Sequence, residues 1–440
     1  MEHETFNTKE EEKENKISSD KKFVKLAFLI FGIGGLLSWN AILADLSFFM
    51  NFVSALNPPV YFPFLNFFLN IIFQFILLFK NKFSTYKKQL LISISLSAIS
   101  LIFLPISVVS LGKNSKSNII ITTIMILLQG FLNAITVNSF FGLVSYFPID
   151  IIISMSSGQG IAGILMNFIQ YIVLFFIGDI DSEKQSEIEN DNISKKGGII
   201  FFSISVIIIL ICLGFIIKVY SNKYFKKQLI LSGEYNNGDD LEKLIPNLEN
   251  ETETENDLTK SKISNYEISF LELTKLLLDI NILTSLLYIG TFAVFPGCCL
   301  QFTLYKLTKG YNINTIGTLF NVFDTIGRSI ASYFNPTKKL IYIIVLSRFI
   351  LLFLIPLNFY FQIHKYNIFF SSTLFIFFVI ILSITNGLGS SLVFAIAPTL
   401  VPDNIKGKAG SSVSFYLMIG IFLGTICGLG MNLIMEFIKK

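Results

Sequence analysis

Eleven long apolar stretches run along this chain of 440 residues, and they constrain its fold more than any other feature. A helix that crosses a bilayer needs about 20 mostly apolar residues, and these stretches reach or exceed that length. The alternation of apolar and polar residues that marks a membrane β-barrel is absent from the sequence. We therefore predict an all-α polytopic membrane protein with eleven transmembrane helices. The stretches are 24–50, 60–79, 90–111, 119–147, 151–177, 199–218, 276–303, 313–334, 340–361, 367–400 and 409–437.

The composition excludes several classes of protein. Apolar residues make up 52% of the chain and charged residues 15%, whereas soluble domains carry about 25% charged residues. With a mean hydropathy of +0.66, these values argue against a soluble enzyme, a disordered chain, a coiled coil and a secreted disulfide scaffold. Four cysteines, two histidines and a net charge of +4 do not suggest a disulfide framework, a metal site, a catalytic triad or a nucleic-acid partner. We expect a protein without cofactor, metal or catalytic residues, embedded in lipid.

The distribution of basic residues predicts the orientation. If the N-terminus is cytosolic, the inner segments carry 20 basic residues and the outer segments carry 10. The positive-inside rule then places the N-terminus in the cytosol and, after eleven crossings, the C-terminus outside. The long charged leader has no small-residue cleavage site after it, so we do not expect a signal peptide.

Two polar segments divide the chain. Residues 1–23 predict a disordered cytosolic N-terminus, and residues 219–275, rich in Asn, Glu, Asp and Lys, predict a disordered cytosolic linker. Between and after them we expect an N-terminal six-helix bundle at 24–218 and a C-terminal five-helix bundle at 276–440.

The chain has only two arginines, Arg328 and Arg348, and both lie inside apolar stretches. Charge at mid-bilayer is disfavoured by about 2.5–3.5 kcal/mol on insertion scales. In the eighth stretch Gly317, Asn321, Asp324 and Arg328 are spaced by four, three and four residues, which places them on one helix face. Asp324 and Arg328 can pair in the favoured order. Either the pair is structural, or its carboxylate and guanidinium bind a substrate.

Amide side chains cluster in the fourth stretch, where Gln129, Asn133 and Thr136 follow helical spacing and Asn138 and Ser139 come next. An amide offers both a donor and an acceptor, so it can recognise the edge of a nucleobase. Ordinary hydrogen bonding between helices explains each of these residues as well.

Three more residues allow two interpretations each. Trp39, which lies mid-stretch beside Asn40, either stacks on a planar base or fills the core. Asp45 is either exposed to water at the outer end of its stretch or a titratable carboxylate inside the membrane. Arg348 either pairs with a carboxylate or caps a loop.

Several of these segments, in order, resemble the equilibrative nucleoside transporter family. The most specific match is Phe320–Arg328 in the eighth stretch. The segment Phe31–Asn40 is similar to the family's Gly-x-x-x-Leu-Leu-Pro-Trp-Asn motif, with Ser38 in place of the proline. The resemblance covers residues 24–437 apart from the linker. Further matching segments are Ser139–Leu143, Pro148, Gly158–Gly163, Thr291–Gly297, Arg348 to Pro356, Thr385–Gly387 and Ala409–Gly410.

The resemblance implies a major-facilitator-like arrangement of six plus five helices around a central cavity, with a nucleoside or nucleobase as substrate. It implies that Asp324 and Arg328 hold the ribose or the base. Many members have a glutamine just before the position of Asn138, and Val137 stands there in this chain, so base recognition is expected to differ. The candidate substrate-binding residues are Asp324, Arg328, Asn321, Trp39, Asn40, Leu43, Gln129, Asn133, Asn138 and Gln159.

The expected mechanism is alternating access around a site near the bilayer midplane, with facilitated diffusion of the substrate. Proton coupling ranks second, because Asp45 and Asp324 are titratable carboxylates inside apolar stretches. The sequence also permits a carrier for another small polar solute, such as an organic amine, or a non-transporting membrane receptor or scaffold. We expect the plasma membrane as the location, and a monomer suffices mechanically.

Overall fold

The computed structural model describes residues 2–80, 83–178, 186–231, 269–302, 304, 307–364 and 368–439. These residues form helices joined by short turns, and none of them lies in a β-strand. The all-α class predicted from the sequence is confirmed. The helices are α1 (Glu2–Ala44), α2 (Leu46–Phe52), α3 (Pro58–Lys80), α4 (Phe83–Ser110), α5 (Lys116–Val144), α6 (Ile149–Ile177), α7 (Glu187–Val219), α8 (Lys223–Leu231), α9 (Phe270–Leu276), α10 (Leu278–Phe292), α11 (Lys309–Ile330), α12 (Lys338–Ser347), α13 (Leu351–Ile363), α14 (Ile368–Ile396) and α15 (Lys406–Lys439).

Nine helical segments of the described chain are long and apolar enough to cross a membrane. The seventh and eighth predicted spans do not meet that criterion. Helix α10 has 15 residues, because Pro296 follows it, lacks an amide proton and disfavours helix at the preceding residue. Helix α11 has 22 residues, but its polar face lowers its hydropathy. The total of eleven spans therefore remains a prediction.

Part of the chain predicted to be disordered is helical. Helix α1 begins at Glu2, so the tail at 1–23 extends the first span as a helix instead of forming an irregular segment. Glutamate and lysine, which are frequent in this segment, are good helix formers. In the predicted linker at 219–275, α8 and α9 form the two flanks, and residues 232–268 lie outside the described residues.

The helices pack as two groups that meet around a central space. In the N-terminal group (α1–α7), α1 packs on α6 and α7, and α5 packs on α3 and α4. In the C-terminal group (α10–α15), α10 packs on α15, and α14 packs on α11 and α13. The groups meet where α6 contacts α11 and where α15 contacts α3 and α5. Residues on these contacting faces are placed to form a site between the groups.

Helix α11 has a buried polar face and an exposed apolar face. Asp324 and Arg328 are only 4% and 5% exposed, whereas Ile326 is 40% exposed. Helix α14 lies so close to the buried face that a Cβ atom on Gly387 would overlap the backbone oxygen of Asp324. The absence of a side chain at Gly387 therefore sets the distance between α11 and α14.

We expect Gly387→Ala to destabilise the protein by about 1–3 kcal/mol, because the added methyl group forces α14 away from α11. The measurement is the thermal stability of the purified protein in detergent. Gly214→Ala is the control, since a Cβ atom there meets nothing within 4 Å. Equal stability of the two variants would contradict the close packing of α11 and α14.

Candidate substrate-binding site

A cavity of about 100 Å³ lies between the N-terminal and C-terminal groups of helices. Space of this size holds several water molecules. Of the ten candidate residues from the sequence, eight line it, and they come from four helices, α1, α5, α6 and α11. These eight are Trp39, Asn40, Leu43, Asn133, Gln159, Asn321, Asp324 and Arg328.

The charged centre of the cavity is an ion pair on one turn of α11. Arg328 Nε donates to Asp324 Oδ2 at 2.7 Å. Asn386 Nδ2 of α14 donates to Asp324 Oδ1 at 2.7 Å. Arg328 Nη1 reaches across to α6, where it donates to Ser156 Oγ at 3.1 Å and to Gln159 Oε1 at 3.0 Å. The pair therefore joins the two groups of helices through Arg328.

The carboxylate of Asp324 keeps capacity for a ligand. Each carboxylate oxygen can accept two hydrogen bonds, and the bonds from Arg328 and Asn386 use one at each oxygen. A ligand with two neighbouring hydroxyl groups can donate to the second positions. Charge-assisted hydrogen bonds of this kind are about twice as strong as neutral ones.

Arg348 does not line the cavity, and it adopts neither of the two roles considered from the sequence. It is 2% exposed, and it donates to Thr291 Oγ1 at 2.6 Å and to two backbone carbonyl oxygens of α10 and α14. Thr291 Oγ1 donates to Asn386 Oδ1 at 2.7 Å. A chain of hydrogen bonds therefore runs from Arg348 through Thr291 and Asn386 to Asp324.

We expect Arg348→Lys to lower substrate uptake by roughly tenfold, mainly through a higher KM, because a lysine ammonium cannot reproduce the planar fork that holds α10 against α14. The test compares Arg348→Lys, Asn386→Ala and the double variant in uptake assays. If Arg348 acts through Asn386, the double variant is no worse than Asn386→Ala alone. Fully additive losses would show that the two residues act separately.

Aromatic rings form the apolar walls of the cavity. Trp39 is 6% exposed and packs edge-on against Phe67, with ring centroids 5.0 Å apart. On the other side Phe295 and Phe320 stack with centroids 4.0 Å apart. Trp39 thus fills the core and also borders the cavity, and its stacking on a planar base stays a prediction.

Two candidates from the fourth stretch, Gln129 and Asn138, do not line the cavity. Ser97 Oγ donates to Gln129 Oε1 at 3.1 Å, and Gln129 Nε2 donates to the Ser97 backbone oxygen at 3.3 Å. Ser411 Oγ donates to Asn138 Oδ1 at 3.2 Å. Both amides therefore bond neighbouring helices, whereas Asn133 borders the cavity with an Nδ2 atom that has no partner among the described residues.

Sequence reasoning missed two polar residues of the cavity, Tyr288 and Asn386. Tyr288 shares a hydrogen bond of 2.9 Å with Ser390. Asn386 lies in Thr385–Gly387, one of the segments that resemble the family, and this resemblance could have identified it as a candidate. Tyr288 is a single hydroxyl in an apolar stretch, and its place in the lining depends on how α10 packs.

A bundle of membrane-length helices in two groups, with a buried ion pair in a cavity between them, defines a multi-pass membrane transporter. The same fold occurs in solved transporter structures. A double-tryptophan mutant of XylE aligns with a TM-score of 0.60 and 12% identity over 97% of this chain and 96% of that chain. The Major Facilitator Superfamily transporter FucP in its outward conformation aligns with a TM-score of 0.52 and 13% identity over 95% and 99% of the two chains. The major-facilitator-like fold is therefore confirmed.

The family follows from the sequence comparison. The model of the Nucleoside transporter family matches residues 123–431, and the chain belongs to this family. Equilibrative nucleotide transporter 3 of Arabidopsis thaliana is 24% identical over 408 residues, which cover 90% of this chain and 91% of that protein. Equilibrative nucleoside transporter 2 of Mus musculus is 23% identical over 445 residues, which cover 91% and 95%. The resemblance found in the sequence is confirmed.

Proposed function

We propose that this protein carries nucleosides across a membrane by facilitated, alternating-access transport. The observation that carries the proposal is the buried ion pair of Asp324 and Arg328, which borders a cavity between two groups of helices and bonds to both of them. Membership of the Nucleoside transporter family and the names of its relatives support the same substrate class. Nucleobases are the second candidate substrate of the same site.

In this proposal the ribose hydroxyls donate to Asp324, and the base lies against the aromatic walls near Trp39. The proposed binding residues are those that line the cavity, so Gln129 and Asn138 are left out. The set is Asp324, Arg328, Asn321, Asn386, Tyr288, Trp39, Asn40, Leu43, Asn133 and Gln159. One chain supplies the whole lining, so a monomer is sufficient.

The two ends of the bundle differ. At one end, named here the sealed end, Phe141 of α5 stacks on Phe394 of α14 with ring centroids 3.6 Å apart. At the other, named here the open end, a space of about 820 Å³ is lined by residues that include Asn57, Gln301 and Asn432. We propose that the structure is open on one side of the membrane and that rocking of the two groups opens the other.

Substrate binding can drive that rocking through Arg328. A hydroxyl group that bonds to Asp324 or Arg328 competes with the contacts that Arg328 makes to Ser156 and Gln159 across the interface. Because these contacts join α11 to α6, weakening them lowers the free energy of separating the two groups. Occupancy and conformational change are thereby linked.

The sealed end is proposed to be cytosolic. Asp150, at the start of α6, pairs there with Lys21 and Lys25 of α1, and the basic helix α8 packs on α1 at the same end. This placement agrees with the excess of basic residues in the segments predicted to be inside. The N-terminus is then cytosolic, the C-terminus extracellular and the plasma membrane the proposed location.

The test of the function is uptake of radiolabelled nucleosides by a host that lacks its own nucleoside carriers. We expect saturable uptake that unlabelled nucleosides inhibit and organic amines do not. Inhibition by amines alone would favour a carrier for another polar solute. Absence of flux in proteoliposomes that contain folded protein would favour a receptor or scaffold.

We expect uptake in proteoliposomes to be electroneutral and to change less than about twofold when a proton gradient is imposed. The charges of Asp324 and Arg328 balance each other within one turn of α11, so a neutral nucleoside crosses without an accompanying charge. The measurement is flux with and without a pH difference, together with the membrane current. Accumulation of substrate against its own gradient under an inward proton gradient would instead establish proton coupling.

A further inference from the structure

A smaller pocket of about 30 Å³ adjoins the central cavity between α6 and α11. Asn40 and Asn321 line both spaces, while Asn167 of α6 and Asn314 of α11 line only the smaller one. Since one water molecule needs about 10–15 Å³ of such space, the pocket has room for about two. The pocket can therefore take the polar edge of an aromatic ring but not the whole ring.

Two of the four amides that line this pocket have buried hydrogen-bonding atoms without a partner in the described part of the chain. Asn167 and Asn314 are 4% and 1% exposed, yet Asn167 Nδ2 and Asn314 Oδ1 have no hydrogen-bond partner among the described residues. Asn314 Nδ2 donates to the backbone oxygen of Asn167 at 3.1 Å. This bond fixes the amide of Asn314 so that its oxygen is the unpaired atom. Asn167 and Asn314 therefore supply at least one unpaired donor and one unpaired acceptor beside the pocket. A buried unpaired atom is costly unless a ligand or water supplies the partner.

Glycines on the facing helices make room for these amides. A Cβ atom on Gly317 of α11 would lie 3.3 Å from Asn167 Nδ2, closer than an ordinary contact. A Cβ atom on Gly163 of α6 would overlap the side chain of Asn321. The seam between α6 and α11 is thus built to hold polar side chains at its centre.

We propose that Asn167 and Asn314 recognise the hydrogen-bonding edge of the nucleobase, while Asp324 and Arg328 hold the ribose. This inference rests on the proposed transport of nucleosides. Asp324 lies ten residues after Asn314, which corresponds to about 15 Å along α11. This distance is comparable to the length of a nucleoside with a hydrogen bond at each end. The substrate class is a nucleoside whose base carries a donor and an acceptor side by side.

The chemistry of the bases fits this pair of atoms. In a 6-oxopurine the exocyclic oxygen accepts from Asn167 Nδ2, and the neighbouring ring N–H donates to Asn314 Oδ1. Adenine carries its donor at position 6 and its acceptor at position 1, the reverse of a 6-oxopurine, so it does not match the two amides in the same position. In the same position, a purine without a substituent at position 6 presents a C–H group to Asn167 Nδ2 and its ring acceptor to Asn314 Oδ1, so it forms neither hydrogen bond.

The experiment measures inhibition of labelled uridine uptake by inosine and by purine riboside, which has the same ribose but lacks the 6-oxo group and its neighbouring N–H. For the wild-type protein we expect inosine to inhibit at least tenfold more strongly. In Asn167→Leu and Asn314→Leu we expect the inhibition constant of inosine to rise about tenfold, while that of purine riboside changes less than threefold. Gln129→Met, which lies outside both spaces, is expected to leave the ratio unchanged.

The ratio of the two inhibition constants decides the inference. An unchanged ratio in both leucine variants, or an equal loss for both inhibitors, would overturn it and leave the pocket to water. Asn167→Ser and Asn314→Ser provide the same comparison if a leucine variant does not reach the membrane. Absence of any nucleoside transport by the wild-type protein would instead refute the proposed function, so the two failures are distinguishable.

Discussion

Replacing Asp324 with asparagine is expected to reduce nucleoside uptake by about 100-fold or more. Asparagine places an amide N–H group where a carboxylate oxygen now accepts a hydrogen bond, either from Arg328 or from Asn386. It also leaves the buried charge of Arg328 without compensation, and breaking such a pair costs about 3–5 kcal/mol. Uptake is measured per molecule of protein at the membrane, and Asp279→Asn, which removes an exposed ion pair with Lys338, is the control that should keep full activity.

A double variant separates the two interpretations of the ion pair that the sequence leaves open. Asp324→Asn combined with Arg328→Gln removes both charges together, so no buried charge is left without a partner. If the pair were only structural, the double variant would recover uptake. We expect it to fold and to remain inactive, because the substrate has lost its charged partners.

Replacing Gly410 with valine is expected to lower uptake by at least tenfold. Gly410 of α15 lies against the Ser145 hydroxyl and the backbone oxygen of Phe141 at the sealed end, and a Cβ atom there would overlap both. A valine therefore pushes α15 away from α5 and prevents that end from closing. Since alternating access needs each end to close in turn, transport slows although the binding residues are intact.

Gly430→Val is the matched control for this prediction, because it lies on the same helix and a Cβ atom there meets nothing within 4 Å. A cysteine in place of Ser411 provides a second readout of the sealed end. We expect Gly410→Val to increase the labelling of that cysteine by a water-soluble reagent. Full uptake by Gly410→Val, at normal levels in the membrane, would disprove that closure of this end is part of the cycle.

The centre of the site was predictable because it depends on local geometry. Asn321, Asp324 and Arg328 share a helix face whatever surrounds the helix, and the structure places all three at the cavity. The same polar residues lower the mean hydropathy of α11, so this helix is less apolar than the nine segments that meet the criterion for a membrane span.

The roles of the other polar residues could not be predicted from the sequence, because they depend on which helices pack against one another. Gln129 and Asn133 share a face of α5, but Ser97 of α4 occupies the hydrogen-bonding atoms of Gln129, and Asn133 borders the cavity. No spacing rule distinguishes them. Likewise, Arg348 connects to Asp324 only through residues of α10 and α14, which come together by folding.

The central claim is that a nucleoside binds between the two groups of helices at the ion pair of α11. A structure of the protein with inosine bound tests it most directly. We predict density for the ribose within hydrogen-bonding distance of Asp324 and for the base between Trp39 and the amides of Asn167 and Asn314. Density for inosine elsewhere in the protein, with Asp324 and Arg328 contacting only each other and their protein neighbours, would contradict the account.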